Sequence, residues 1–481
     1  MTAATEITRT RRRTRVTDSS LRAHVHQAAN AGELRLPGRR VRLISTRRFL
    51  LYVIASLLVA LPMAAISSVV HGPGDPVSAA LSPDPRTPAQ RAVDDAQARL
   101  LRAPNDPHAM GRLASAYLQH ARETGDPTYY SKADALLAVA LAAAALDPDL
   151  LVTAGSLALS RHDFAAALDW GERAVAAGPA RPAAQGVVVD ALVELGRYDE
   201  AVAAAQRMVD LRPDLASYSR ISYLRELHGD VAGAIDAMRL AIQAGAPTGE
   251  ATAWSDVQLG NLYFATGDLD AAERAYERSL KRVDAYAHGH AGLARVRAAR
   301  GELDAAATLY ERATARLPLP EYVGALGDVY ARLGDAAAAE REYALVDVER
   351  RLLIASGVRV DVDLALFDAD HGHDLARAVE VARAEYAIRP SVHIADILAW
   401  AELKSGDAVS ALRHSTKALR LGSRDPLLIY HAGVIAQATG DADRARELLW
   451  RAHDLNPRFA LLWADDLARR LDDLGPAPSA P

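Results

Sequence analysis

The chain has 481 residues and no cysteine. That absence excludes a disulfide framework, a Cys-ligated zinc or iron–sulfur site and a thiol nucleophile. Aromatic residues make up only 5% of a chain that is half apolar. The apolar content is therefore mostly Ala, Leu and Val, a composition that favours helix. Lysine is scarce too. Lys132, Lys281, Lys404 and Lys417 are the four lysines among 56 basic residues, and arginine supplies the rest. Arginine in place of lysine, with abundant alanine, is the kind of composition that a GC-rich coding sequence gives. It carries no binding function by itself. Catalytic motifs are also lacking: no Gly-x-Ser-x-Gly, P-loop, Gly-x-Gly-x-x-Gly, His-Glu-x-x-His or EF-hand spacing occurs. No enzymatic activity and no cofactor are expected.

The charge that the chain does have is unevenly distributed. Residues 1–48 hold twelve arginines against Glu6, Asp18 and Glu33, a net of +9. The whole chain is −5, so the remainder carries −14. The break falls at Arg47-Arg48, where an uncharged run of 22 residues, 49–70, begins. As a helix this run is about 33 Å long, enough for a hydrocarbon core of roughly 30 Å. Pro62 is tolerated in such a helix. The run predicts a single transmembrane anchor. A cleaved signal peptide is the rival reading, although both the leader and the apolar run are long for one. A buried core helix fits less well, because the run has no polar face. The positive-inside bias puts residues 1–48 in the cytoplasm as a basic, disordered tail, and the chain beyond Val70 outside it. The arginines at 9–15 have no interleaved aromatics, so no nucleic acid is expected as a partner. Residues 71–95, with Pro73, Pro76, Pro83, Pro85 and Pro88, predict an extended linker.

From about residue 96 the chain repeats itself. A turn recurs between two Ala-rich stretches of helical period, at Gly125, His162, Gly196, Gly229, Gly267, Gly301, Gly334, Gly372, Gly406 and Gly440. The intervals run from 33 to 38 residues with a mean of 35. Other positions keep step. Five residues after the turn comes alanine in eight of the ten units (167, 201, 234, 272, 306, 339, 411 and 445). Seven before it comes a small residue in most units, such as Gly155, Ser222, Gly260, Gly327 and Gly433. Prolines close several units: Pro148, Pro182, Pro213, Pro247, Pro318, Pro390, Pro426 and Pro457. Small residues on both helices let two backbones approach around a short turn. Gly accepts the positive φ that ends the first helix, and Pro fixes the exit toward the next unit. A fixed period of this size predicts a stacked array rather than separate globular domains.

The pattern resembles the tetratricopeptide repeat family. Its clearest unit is Leu259-Gly260-Asn261-Leu262-Tyr263-Phe264-Ala265-Thr266-Gly267-Asp268-Leu269-Asp270-Ala271-Ala272-Glu273-Arg274-Ala275-Tyr276. A second is Leu326-Gly327-Asp328-Val329-Tyr330 with Gly334 and Ala339. The resemblance implies an all-α, right-handed superhelical solenoid of about ten helix pairs over residues 96–457. Residues 458–475 come next as a capping helix and 476–481 as a short tail. The units ending at Gly267 and Gly372 are each a few residues longer than the mean, and the Gly372 unit has Arg377 where alanine is expected.

Arrays of paired helices bind other chains along the surface lined by the first helix of each pair. Counting back from the turns, the resemblance implies a partner-binding groove formed by Asp190, Tyr223, Trp254, Asn261, Phe264, Arg295, Asp328, Asp396, Trp400 and Tyr430. Asn261 fits a slot that family members use to clamp a terminal carboxylate, but the companion lysines are missing. Two His-Gly-His triplets stand out, at 288–290 and 371–373. The second lies among Asp368, Asp370 and Asp374, a set of donors that a transition metal accepts, but an ordinary polar inter-helix turn with solvated side chains is the preferred reading, since the repeat already accounts for Gly372. The expected function is a membrane-anchored, extracytoplasmic scaffold whose partner is a protein or peptide. Alternatives are a secreted or cytoplasmic-facing regulatory protein, and metal handling through residues 368–374.

Overall fold

A computed structural model of the chain describes residues 87–359 and 361–477. The anchor expected at 49–70 and the basic tail lie outside these residues, and no helix among the described residues is long and apolar enough to cross a membrane. The described residues hold twenty-two α-helices and no strand.

In chain order the helices are α1 (Pro88–Arg102), α2 (Pro107–Thr124), α3 (Thr128–Ala143), α4 (Pro148–Ser160), α5 (Phe164–Ala177), α6 (Pro182–Glu194), α7 (Tyr198–Leu211), α8 (Leu215–Leu227), α9 (Val231–Ala244), α10 (Glu250–Ala265) and α11 (Leu269–Arg282). They continue with α12 (Ala287–Ala299), α13 (Leu303–Arg316), α14 (Pro320–Leu333), α15 (Ala336–Ala355), α16 (Asp361–His371), α17 (Leu375–Ile388), α18 (Val392–Lys404), α19 (Ala408–Ala418), α20 (Pro426–Ala438), α21 (Ala442–Leu455) and α22 (Ala464–Leu474). Helices α2–α21 form ten antiparallel pairs. Helix α1 precedes them, starting eight residues inside the stretch expected to be linker. Thr87 caps it and Pro88 opens it, and Ala89, Val93, Ala96 and Leu100 bury one face. Helix α22 closes the other end with Leu467 and Leu471 buried.

Each repeated residue has a local reason. All ten turn positions have positive φ, from 57° at His162 to 95° at Gly406. His162 is the non-glycine among them, so its backbone carries strain that glycine avoids. Its ring offsets this by stacking on Phe164 and bonding through Nδ1 to the Arg359 carbonyl at 2.9 Å. The alanines five residues after the turn are buried in every one of the eight units. The glycines at minus seven make room for the facing second helix: a Cβ on Gly260 or Gly327 would run into the ring of Tyr276 or Tyr343. Pro148, Pro182 and Pro426 do not close their units but open the next first helix at its first turn, where the missing N–H has no intrahelical partner to lose. The long spacing before Gly372 comes from α15, which runs 20 residues where seven other second helices have 14.

Along most of the array the first helices of successive pairs touch each other, while second helices make no comparable contact. The ribbon of pairs therefore curves with its first helices inside. It curves far enough to meet itself. Arg359 N–H donates to the Arg161 carbonyl at 3.1 Å. Arg389 reaches Glu194 at 3.2 Å, and Val392 N–H donates to the Tyr198 hydroxyl at 2.8 Å. Asn456 Nδ2 donates to the Phe264 carbonyl at 2.7 Å, and Arg458 to that of Ala299 at 3.0 Å. A Cβ on Gly196 would sit 2.7 Å from the Pro390 carbonyl oxygen, one on Gly267 2.9 Å from that of Leu455, and one on Gly229 would overlap that of Gly422. The rule is constant: the turn within one pair rests on the connection that follows the fifth pair further along. The two edges of the ribbon thus meet in a seam, and the second coil is seated on the first. On the later coil the turns at Gly372, Gly406 and Gly440 face open space, so that edge forms a free rim.

Candidate functional site

The inner surface is lined by first helices, and all ten residues picked from the sequence lie on them. The structure joins most of them into ties between neighbouring pairs. Asp190 accepts a two-pronged contact from Arg220 at 2.8 and 2.6 Å. Arg295 donates to Asn261 at 3.2 Å, lies 4.3 Å over the Phe264 ring, and shares Asn261 with the Tyr276 hydroxyl. Asp328 accepts from Tyr343 and from His371 Nε2. Asp396 pairs with His431, whose imidazole stacks on Trp400 at 4.0 Å. Trp400 Nε1 donates to Asp370 at 2.7 Å, and the Tyr430 hydroxyl to Asp466. Tyr223 meets His393 at 3.3 Å across the seam. Trp254 packs edge-on to His288, 5.4 Å beneath the Arg122 guanidinium. Phe264, Asp396, Trp400 and Tyr430 are buried; the other six are half-buried. The register that puts a side chain on the inner face also puts it beside the next unit, which covers the larger rings.

The Trp254 cluster is a closed network. The Tyr286 hydroxyl donates to Glu250 at 2.8 Å, Arg122 pairs with the same carboxylate at 3.0 Å, and His288 Nδ1 meets the Tyr322 hydroxyl. Burial pulls the His288 imidazole down to about 4, against the opposing charge of Glu250. This histidine is neutral at physiological pH and acts as packing.

The donors at 368–374 do not converge. Asp368 is committed to Arg350 by two contacts at 2.9 and 2.6 Å. Asp370 holds Trp400, and His371 is held by the Phe367 carbonyl and Asp328. Burial lowers the His371 pKa, but the Asp328 hydrogen bond and charge outweigh it and leave it raised. Among the described residues no three His, Asp or Glu side chains are grouped so as to hold a metal ion.

A cavity of about 310 Å³ opens on the inner face beside the free rim. Trp400, Leu403 and Lys404 of α18, Tyr430, Val434, Gln437 and Ala438 of α20, and Trp463 and Arg470 at the C-terminal cap enclose it. Trp400 and Tyr430 form a buried floor. Trp463 stands edge-on to Trp400 at 5.3 Å and stacks on Tyr430 at 5.9 Å. Lys404 Nζ lies 5.6 Å from the Trp400 ring and 5.2 Å from that of Trp463. Arg470 is held by Asp466 and by Gln437 Oε1 at 2.6 Å. Trp400 and Tyr430 come from the sequence reading; Lys404, Gln437, Trp463 and Arg470 do not. Lys404 and Gln437 fall two and three residues before their turns, and the scarcity of lysine is the signal that points to Lys404. A second cavity, about 290 Å³, lies between α5, α6 and α7 around Gln185, Glu172 and Arg207.

Two stretches of the chain, residues 189–249 and 257–319, match the tetratricopeptide repeat family. No curated protein matches the sequence. Solved structures with similar backbones include the human IFIT1 dimer with PPP-AAAA (13% identity, 72% of this chain and 82% of that one, TM-score 0.41). Another is the APC/C hetero-tetramer Cut9-Hcn1 (14% identity, 82% and 98%, TM-score 0.35). A third is PilW, a widely conserved type IV pilus biogenesis factor (18% identity, 42% and 92%, TM-score 0.36). Over residues 189–249 and 257–319 the chain is similar to the tetratricopeptide repeat family, and the same helix pair continues on both sides of those stretches.

Proposed function

We propose that this chain is a membrane-anchored scaffold of the tetratricopeptide type that binds a segment of a partner protein on its inner face, outside the cytoplasm. The observation that carries the binding role is the rim cavity. It lies where the inner face is reachable, and its walls are three aromatic rings with two cationic side chains. Large rigid aromatics and arginine are the residue types that anchor protein interfaces. The chemistry fits an interaction role rather than a catalytic one. Most polar groups picked on the inner face are spent on tying neighbouring pairs together. The anchoring rests on the sequence alone: a +9 leader, an uncharged run of 22 residues and a −14 remainder.

In-cell photo-crosslinking tests the binding role. A photoreactive residue at Leu403 or Gln437 is expected to give one discrete adduct. The same residue at Val409 or Leu412, exposed on the outer helix α19, is expected to give none. Equal labelling from both faces contradicts the inner-face reading. A reporter fused after Pro481 is expected to be active only outside the cytoplasm, and cytoplasmic activity overturns the assigned side.

A further inference from the structure

We propose that the rim cavity selects an acidic peptide segment, one in which a side-chain carboxylate stands next to a large apolar side chain; this rests on the inner-face reading above. The charge census around the cavity points to it. Each nearby carboxylate is already engaged: Asp466 by Arg470, Arg469 and the Tyr430 hydroxyl, Asp465 by Arg332, Asp370 by Trp400, and Glu402 by Arg383 and His414. Lys404 makes no ion pair among the described residues. Its ammonium stands over two indole faces, which stabilise a cation without neutralising it. Lys404 is thus the cavity cation without a carboxylate partner among the described residues, while Arg470 is held back by Asp466 and Gln437.

The walls set the apolar part of the ligand. Trp400, Leu403, Val434 and Trp463 enclose a space of about 310 Å³, the small end of ordinary ligand pockets. It admits one aromatic ring or branched side chain. A carboxylate on the adjacent residue then reaches Lys404 in a partly dehydrated setting, where a charge-assisted contact is at its strongest. A row of phosphates is a poor match. Nucleic acid requires several unpaired cations in line, whereas this site has one, on a body whose net charge outside residues 1–48 is −14.

The test uses the full-length chain in detergent and a probe peptide, acetylated Gly-Glu-Phe-Glu-Leu-Gly amide. Its blocked ends leave only side-chain carboxylates. Calorimetric titration is expected to show binding. Binding is expected to weaken by roughly tenfold or more with Lys404→Glu, to persist with Lys404→Arg, and to be lost when lysine replaces glutamate in the peptide. Trp463→Ala is expected to remove binding as well. Lys404 is only half-buried, so unfolding curves of the Lys404 variants are expected to overlay the parent and exclude misfolding as the cause. Equal binding of the lysine peptide, an unaffected Lys404→Glu variant, or binding of single-stranded DNA in place of the peptide overturns the proposal. If photo-crosslinking at Gln437 still yields its adduct while the acidic peptide fails to bind, only the ligand class falls. If both fail, the inner-face reading falls with it.

Discussion

Gly229→Ala is expected to destabilise the array by about 3 kcal/mol, and Gly440→Ala by about 1 kcal/mol. The two glycines occupy the same slot of their units and have similar backbone angles, with φ of 76° and 86°. Both variants therefore place an L-residue in left-handed backbone, which costs roughly 1–2 kcal/mol. They differ in what lies beyond. Gly440 faces open space, whereas a Cβ on Gly229 overlaps the carbonyl of Gly422 in the second coil. That neighbour is backbone and cannot rotate away. The seam must part locally or the turn must shift, an insertion penalty of about 1–3 kcal/mol. Urea midpoints followed by circular dichroism check the pair. Equal losses at both sites mean that the coils do not touch at Gly229.

Arg350→Ala is expected to destabilise the α15–α16 region by about 3–5 kcal/mol, the range for removing one partner of a buried ion pair. Arg350 and Asp368 have side chains only 9% and 7% exposed, joined by two short contacts. Removing the guanidinium strands a carboxylate that water reaches poorly. Arg350→Ala combined with Asp368→Ala is expected to be less destabilised than the sum of the single variants, because the second change removes the stranded charge. Hydrogen exchange is expected to place the lesion in α15 and α16 rather than across the array, since repeat arrays respond through neighbours. A loss spread evenly over α2–α21 is the opposing result.

The helix pairs were legible in the sequence because their causes are local. A turn needing positive φ, a small residue seven before it and an alanine five after it recur with the unit, so ten positions could be read together. Even His162 stood out as the non-glycine in a glycine slot, and its reason lies across the seam, in the Arg359 carbonyl. The seam itself leaves no periodic mark. It joins residues nearly two hundred positions apart through backbone carbonyls and single side chains such as Tyr198 and Asn456. Register arithmetic placed Trp400 and Tyr430 on the inner face. It could not say that Trp463, from the non-repeating cap, would fold over them and complete a cavity with Lys404 and Arg470. Pro88 shows the converse. Proline richness suggested an extended linker, but Thr87 and Pro88 together are a helix start.

The absence of cysteine makes the closed coil directly measurable. Asp230→Cys with Arg424→Cys gives a full-length chain with two thiols only, one on each side of the seam, where the Arg424 side chain already lies against Gly229. Spin labels at both sites and a dipolar distance measurement are expected to give one narrow distribution at the short end of the accessible range. A broad distribution at long distance means an open superhelix with its inner face exposed along its length, and contradicts a second coil seated on the first.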